Sequence, residues 1–143
     1  MRFIEQQLIR HEGLRLRPYR CPAGKLTIGV GRNLDDVGIS KAEAMDMLHS
    51  DIEAARDSLS ALLDMFGIRP WHINRPRQDA LCNVCFNIGG RSLSGFRRMW
   101  SAIQAEDWDT AAAELLDSRY AKEVGARAIE LAEQIKFGKY GGA

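Results

Sequence analysis

The chain has 143 residues, 45% hydrophobic and 27% charged, and a formal net charge of +1. This balance is typical of one globular domain and not of disordered or fibrous proteins. The near-zero charge argues against a dedicated nucleic-acid-binding protein. Residues 1–32 nevertheless carry seven Lys and Arg against two acids, which fits either an ordinary mixed surface or a basic patch for a polyanionic target. No apolar run reaches a membrane span of about 18 residues, and we expect no signal peptide.

The first 40 residues predict a small α+β lobe. Apolar residues at helical spacing before Gly13 predict a helix over 3–12. Proline, glycine and β-prone residues mix through 14–31, where the turn sequence Cys21–Gly24 divides two short extended pieces. This segment is therefore predicted as a β-hairpin, followed by a loop over 33–39.

Residues 41–66 predict a long connecting helix. Ser40 and Glu43 fit a capping box, in which the serine oxygen accepts a backbone amide and the glutamate reaches back to the helix start. Apolar residues then recur at steps of three and four over about 20 residues, a stripe typical of a helix packed along a core. A coiled-coil seam is the weaker alternative because the stripe is shorter than three heptads.

Residues 67–143 predict an all-helical lobe. A helix over 76–88, with Asn74 as its cap, is apolar almost all round and should lie at the centre of this lobe. Shorter helices are predicted at 96–105, 108–117, 118–124 and 126–136. The expected fold is thus a single, mostly helical α+β domain, with an N-terminal lobe (1–40), a connecting helix (41–66) and a helical C-terminal lobe (67–143).

Glu12 is the first candidate for catalysis. It ends the first predicted helix, where the negative end of the helix dipole favours the protonated carboxyl that a general acid requires. Cys21 follows after eight intervening residues, and Thr27 after five more. A hairpin folded beside the helix end would bring an acid, a potential thiolate and a hydroxyl around one cleft.

Cys82 and Cys85 form a C-x-x-C sequence, which allows a redox or a zinc interpretation. Both lie inside the apolar helix 76–88, and the sequence has no second ligand pair. Two buried, small apolar side chains are therefore the favoured interpretation. We predict no metal site and no cofactor.

Several segments resemble the T-even phage lysozymes, glycoside hydrolase family 24. The family pattern is Glu, eight residues, Asp or Cys, five residues, Thr, and it fits at Glu12, Cys21 and Thr27. The resemblance covers nearly the whole chain, including Glu12–Leu16, Tyr19, Leu26–Gly31, Asn83 with Phe86, Gly95-Phe96, Trp108-Asp109, Ala111-Ala112 and Ser118–Tyr120.

The resemblance implies hydrolysis of the β-1,4 bond between N-acetylmuramic acid and N-acetylglucosamine in peptidoglycan. Glu12 would protonate the leaving oxygen, and Cys21 with Thr27 would position or activate the attacking water. Many family members have Asp where this chain has Cys21. A thiolate could instead attack the sugar directly, which would change the outcome from inversion to retention; we favour attack by water.

The resemblance also implies supporting residues. Arg127 lies where the family has an arginine that pairs with the catalytic glutamate, and Arg32 with Asp51 would replace a histidine–acid pair; that pair could also be a simple surface ion pair. Substrate contacts are expected at Asn33, Phe86, Asn87 and Gly89. Trp71, Trp100 and Trp108 could stack on sugars, although packing roles are favoured.

The sequence as a whole predicts a phage-type endolysin that acts as a monomer on the peptidoglycan glycan strand, without nucleic acid or stable membrane association. It would wait in the host cytoplasm until a separate lesion opens the membrane. Packaging in a virion is a related possibility. The rival interpretations are a catalytically impaired peptidoglycan-binding protein on the same scaffold and a helical nucleic-acid module.

Overall fold

A computed structural model describes residues 1–141. It confirms a mostly helical α+β fold with a small antiparallel sheet. The elements are α1 (Phe3–Glu12), β1 (Arg15–Arg20), β2 (Leu26–Gly29), β3 (Arg32–Asn33), α2 (Lys41–Met65), a 3₁₀ turn (Pro70–His72), α3 (Arg75–Ile88), α4 (Gly90–Ser94), α5 (Arg97–Gln104), α6 (Trp108–Leu116), α7 (Arg119–Val124) and α8 (Ala126–Phe137).

Contacts divide the chain into two compact units, Met1–Met47 and Leu48–Ala143, and the division falls inside α2. The buried apolar core, from Ala55 to Ile135, belongs to the second unit. In the first unit, which is described completely, Thr27 is the single buried residue. The lobe boundaries drawn from the sequence at residues 40 and 66 stay a prediction.

The sheet of the first unit has the order β1-β2-β3, with both pairs antiparallel. Tyr19 on β1 and Asn33 on β3 both lie opposite Thr27 on the central strand. The hairpin predicted for 14–31 is confirmed. The third strand was not predicted, because Arg32 and Asn33 form a two-residue strand that carries no alternating pattern.

Local chemistry sets the ends of α1 and α2. The Gly13 amide donates to the Ile9 carbonyl at 2.8 Å, with a φ of +79° that favours glycine, so α1 ends where predicted. The capping box at the start of α2 is also confirmed. The Glu43 amide donates to Ser40 Oγ at 3.1 Å, and the Ser40 amide donates to Glu43 Oε1 at 2.9 Å.

One face of α3 belongs to the core of the second unit, but Phe86 is 44% exposed, so α3 is not buried all round as the sequence predicted. Asn74 caps α3, its side chain accepting from the Arg77 amide at 3.1 Å, and Cys82 and Cys85 are both buried. Trp100 is fully buried, and its indole N–H donates to the Leu93 carbonyl at 2.9 Å.

Two expectations for the second unit were wrong. Trp71 is 74% exposed, so it has no packing role in the structure. Helix α4 was not predicted, because its first residue, Gly90, was taken as part of a glycine stop after α3. Among residues 1–141, no helix has the length and apolarity to cross a bilayer.

Candidate active site

Glu12 lies at the end of α1, with its carboxyl against the turn between β2 and β3. A Cβ placed on Gly31 would lie 2.9 Å from Glu12 Oε2, 3.2 Å from Cδ and 3.3 Å from Cγ. A side chain at position 31 would therefore displace the Glu12 carboxyl, and the φ of +71° favours glycine there. The Glu12 side chain is solvent-exposed, so its carboxyl can exchange a proton with a bound molecule.

Cys21 begins the turn that connects β1 and β2. The turn closes with the Gly24 amide donating to the Cys21 carbonyl at 2.8 Å and the Cys21 amide donating to the Lys25 carbonyl at 2.9 Å. Hydrogen bonds from the Lys25 amide, and less strongly from the Ala23 amide and the Thr27 hydroxyl, lower the pKa of the half-buried Cys21 thiol below its usual value, against partial burial, which raises it. The turn thus stabilises the thiolate form of Cys21 relative to that of a free cysteine.

Thr27 is 3% exposed at the centre of the sheet. Its hydroxyl donates to the Lys25 carbonyl at 2.8 Å. With the proton directed to that carbonyl, the lone pairs of Oγ1 can accept a hydrogen bond from a water molecule or from the Cys21 thiol. The same hydroxyl can turn to donate to the thiolate form of Cys21, but it cannot make both donations at once.

The strand register brings two of the candidate residues, Thr27 and Asn33, to one face of the sheet. Thr27 and Asn33 are direct cross-strand partners, so their side chains share a face. Cys21 lies just past the end of β1, and the Thr27 hydroxyl is one of the hydrogen-bond donors that lower the pKa of its thiol. Cys21 and Thr27 are therefore neighbours. Glu12 lies against Gly31, two residues before Asn33, and a common cleft for Glu12, Cys21 and Thr27 stays a prediction.

Asn33 has a structural role in the loop that follows β3. Its Oδ1 accepts from the Asp36 amide at 2.9 Å, and its Nδ2 donates to Asp36 Oδ2 at 3.0 Å. The Asp35 carboxylate accepts from the Leu26 amide at 2.7 Å, which ties this loop to β2. The side chain of Asn33 retains one donor and one acceptor position, and its contact with substrate stays a prediction.

Arg32 is paired with Glu43, whereas the sequence predicted Asp51 as its partner. Arg32 Nη1 and Nη2 donate to Glu43 Oε1 and Oε2 at 2.9 and 2.8 Å. The Arg32 guanidinium, together with the Ser40 amide and hydroxyl, lowers the pKa of Glu43 to about 2. The sequence predicted Glu43 as a helix cap. For its pairing with Arg32, the sequence signal was the short separation of 11 residues between the two.

Asp51 belongs to the second unit, where it is exposed on α2. It lines a hollow of about 280 Å³ together with the half-buried Ser58 and the aromatic ring of Phe86. Phe86, Asn87 and Gly89 are exposed around the C-terminal end of α3, where Gly89 stops the helix by donating to the Cys85 carbonyl at 2.8 Å. The roles predicted for these four residues in substrate binding or support stay predictions.

Arg127 is held by Asn83 within the second unit. Its Nε and Nη2 donate to Asn83 Oδ1 at 3.0 and 2.7 Å. Both residues line a second hollow of about 260 Å³ that also contains Arg56 and Asp79. The predicted pairing of Arg127 with Glu12 stays a prediction.

Asp79 is a polar centre that the sequence analysis missed. It accepts hydrogen bonds from Arg56 at 2.9 Å and from the Tyr140 hydroxyl at 2.5 Å, and it forms an ion pair with Arg75 at 3.1 Å. Partial burial raises the pKa of Asp79, but the hydrogen bonds from Tyr140 and Arg56 outweigh it and leave the pKa below its usual value. The spacing of Arg75 and Asp79 on α3 signalled one of these contacts; the others join distant segments.

The arrangement in the first unit suits acid-assisted hydrolysis. An exposed carboxyl can donate a proton, and a thiol–hydroxyl pair can orient water or accept its proton. Within residues 1–141, no three His, Cys, Asp or Glu side chains are arranged to hold a metal ion.

Comparisons with known proteins agree with the resemblance. The family model described as phage lysozyme matches residues 9–133. An endolysin of Acyrthosiphon pisum secondary endosymbiont phage 1 is 33% identical over 122 residues, covering 82% of this chain and 78% of the relative. An endolysin of Salmonella phage P22 is 33% identical over 97 residues, 62% of each chain. The pre-baseplate central spike protein Gp5 of Enterobacteria phage T4 is 26% identical over 151 residues, which is 87% of this chain and 26% of that protein.

Proposed function

The chain belongs to the phage lysozyme family, and we propose that it hydrolyses the β-1,4 bond between N-acetylmuramic acid and N-acetylglucosamine in bacterial peptidoglycan. Membership of this family indicates a glycosidase-type hydrolase. The observation that carries the proposed cleavage of this bond is the contact of the Glu12 carboxyl with Gly31. Gly31 belongs to the turn that follows the strand of Thr27, whose hydroxyl can donate to Cys21.

Glu12 supplies the proton in the first half of the reaction. Its protonated carboxyl donates to the glycosidic oxygen while the bond from that oxygen to C1 of N-acetylmuramic acid breaks. The leaving N-acetylglucosamine takes the proton as its new 4-hydroxyl, and Glu12 becomes a carboxylate. The exposure of Glu12 at the end of α1 supports this role, because the donor must reach the substrate.

Water completes the reaction from the other face of the sugar. The Thr27 oxygen, whose proton is directed to the Lys25 carbonyl, accepts a hydrogen bond from the water. Cys21, as a thiolate, takes the second proton as the water oxygen bonds to C1. The lowered pKa of the Cys21 thiol supports this step because it enlarges the thiolate fraction near neutral pH. Solvent then returns the proton from the thiol to Glu12.

Direct attack by Cys21 is the alternative chemistry, and the lowered pKa of its thiol favours this step as well. The thiolate would form a covalent bond to C1 and a second displacement by water would release the sugar, with net retention of configuration. Proton NMR of the first-formed sugar product distinguishes the two. Water attack gives the inverted α-anomer. A β-anomer together with a trapped thioglycosyl enzyme would overturn the proposal of water attack.

The substrate in this proposal is the peptidoglycan glycan strand, cut from inside an infected bacterium after a membrane lesion, so that the host lyses. The names of the two endolysin relatives support that role. We propose that the protein acts as a monomer without a cofactor.

A catalytically impaired peptidoglycan-binding protein is the competing function, motivated by Cys21 at a position where many family members have Asp. Clearing of permeabilised Gram-negative cells, measured as turbidity, separates the two functions. The wild type should clear the suspension, Glu12→Gln should fail, and Cys21→Ser should be intermediate because serine keeps a hydroxyl but loses the thiolate. Negligible clearing by all three proteins, with retained pull-down by peptidoglycan, would favour the binding protein.

A further inference from the structure

Arg32 immediately follows Gly31, the residue against which the Glu12 carboxyl lies. Arg32 Nη1 donates to the Gly38 carbonyl at 3.1 Å and to Glu43 Oε1 at 2.9 Å, while Nη2 donates to Glu43 Oε2 at 2.8 Å. The guanidinium therefore ties β3 to the end of the following loop and to the first turn of α2. This fork-to-fork geometry fixes orientation as well as distance.

Glu43 is also fixed from its own side. Its Oε1 accepts from the Ser40 amide at 2.9 Å, and its backbone amide donates to Ser40 Oγ at 3.1 Å. The carboxylate thus serves the helix cap and Arg32 at once. Since α2 has 25 residues, the pair links a two-residue strand to the first turn of the longest helix within residues 1–141.

We propose that Arg32 and Glu43 form a positioning pair that holds the turn between β2 and β3 (residues 30–31) against the Glu12 carboxyl. The inference rests on the proposed function, because it assigns the proton donation to Glu12. Neither residue of the pair contacts the reacting atoms in this account. They act through the backbone of Gly31.

Position and exposure favour this role over simple stabilisation. The two side chains are 37% and 43% exposed, and an ion pair with that much solvent contact adds only a small, charge-dependent increment to stability. Arg32 nonetheless uses both terminal nitrogens and lies one peptide from the Glu12 contact. The Arg32 guanidinium lowers the pKa of Glu43 to about 2, so the pair stays charged throughout the working pH range of the enzyme.

The experiment compares Arg32→Gln, Glu43→Gln and Arg32→Lys with the matched control Arg2→Gln. Arg2 belongs to the same unit and pairs with Glu5 at 3.3 Å, so the control removes the same charge and breaks a different ion pair. Initial rates on purified peptidoglycan give kcat and KM. ¹⁵N relaxation gives the order parameter of the Gly31 amide, and melting temperatures check that each variant is folded.

Arg32→Gln and Glu43→Gln should lower kcat about tenfold, with KM within about twofold, because a small displacement of a catalytic group costs rate more than binding. The Gly31 order parameter should fall in both. Arg32→Lys should recover kcat to within about threefold of the wild type, since lysine keeps the charge but not the fork. Arg2→Gln should match the wild type.

An unchanged kcat in Arg32→Gln, a loss expressed in KM alone, or an equal loss in Arg2→Gln would overturn the positioning pair. These outcomes require an active wild type. A folded wild type that releases no sugar ends would instead overturn the proposed function and, with it, the assignment of Glu12 as the acid. The two failures are therefore distinguishable.

Discussion

Replacing Gly31 with alanine places a methyl group where the Glu12 carboxyl lies. The new Cβ would be 2.9 Å from Glu12 Oε2, whereas ordinary van der Waals contact begins at 3.4 Å. The carboxyl must therefore move by about 0.5 Å or rotate away, because the carbon cannot approach a carboxylate oxygen so closely. The turn itself cannot absorb the shift freely, since Arg32 anchors the next residue.

Two effects of Gly31→Ala can be separated by size. An alanine at a φ of +71° costs about 1–2 kcal/mol in backbone strain, which lowers the melting temperature by roughly 3–8 °C. The displaced proton donor lowers kcat by about 10- to 100-fold. Strain at this level leaves a typical domain folded at 25 °C, so the loss of rate is not a loss of folded protein.

Gly29→Ala is the matched control for this substitution. Gly29, the last residue of β2, adjoins the same turn with a φ of +70°, but a Cβ on it would meet no atom within 4 Å. Thermal melts and initial rates of reducing-end release should show similar destabilisation of both variants and a rate loss confined to Gly31→Ala. Equal kcat values for the two variants would refute the idea that catalysis requires the Glu12 carboxyl to lie against Gly31.

Three further predictions concern other parts of the chain. Cys21 should be the one thiol of the folded protein that iodoacetamide alkylates at pH 7, and the pH midpoint of its alkylation rate should lie below that of a free cysteine. The reason is that the pKa of Cys21 is lowered, whereas burial raises the pKa of the two α3 cysteines. Mass spectrometry of the intact protein counts the adducts, and a second adduct would contradict this prediction. Glu43→Gln should lower the melting temperature relative to the wild type most above pH 4.5, and this difference should vanish as the pH falls towards 2. A carboxylate with a lowered pKa stabilises the fold only where it is ionised. A difference in melting temperature that grows in acid would contradict this prediction. Gly138→Ala should lower the free energy of unfolding in a denaturant melt by about 2–4 kcal/mol, since its Cβ would lie 2.6 Å from Asn74 Nδ2. Gly67→Ala, with a similar positive φ and no atom within 4 Å of the new Cβ, should lower it by about 1–2 kcal/mol from backbone strain alone. Equal losses in the two variants would contradict this prediction.

The elements that the sequence predicted correctly are those with local signals. Gly13 ends α1 through its positive φ, and Ser40 with Glu43 starts α2 through two hydrogen bonds between residues three apart. Such signals can be read from neighbouring residues alone. The hairpin around Cys21 followed from its turn residues for the same reason.

The features that the sequence missed depend on the path of the chain. Strand β3 exists because Asn33 pairs with Thr27 across a turn rich in glycine, and two residues are too few to show alternation. Glu43 binds Arg32 because the loop 33–38 brings their segments together, a result that helix periodicity does not predict. Trp71 is exposed because the 3₁₀ turn at Pro70–His72 directs it away from the core.

The candidate site was predictable from the sequence in its residue types but not in its geometry. The spacing of Glu12, Cys21 and Thr27 named the chemical groups. The contact of Glu12 with Gly31, the amides that favour the Cys21 thiolate and the direction of the Thr27 proton all follow from the folded turns. Each of these is a tertiary contact or a hydrogen bond with no signature in composition or period.

End-group analysis of digested peptidoglycan shows which bond is cut and whether Glu12 is the general acid. Purified sacculi are incubated with the wild type, Glu12→Gln or the control Glu5→Gln. Glu5 is a second glutamate on α1 and accepts a hydrogen bond from the Arg2 amide. The new ends are then reduced with borohydride and identified by mass spectrometry. We expect the wild type and Glu5→Gln to release reducing ends on N-acetylmuramic acid, and Glu12→Gln to release fewer than one in a hundred of them, because the general acid is lost. Reducing ends on N-acetylglucosamine, or undiminished release by Glu12→Gln, would contradict the account.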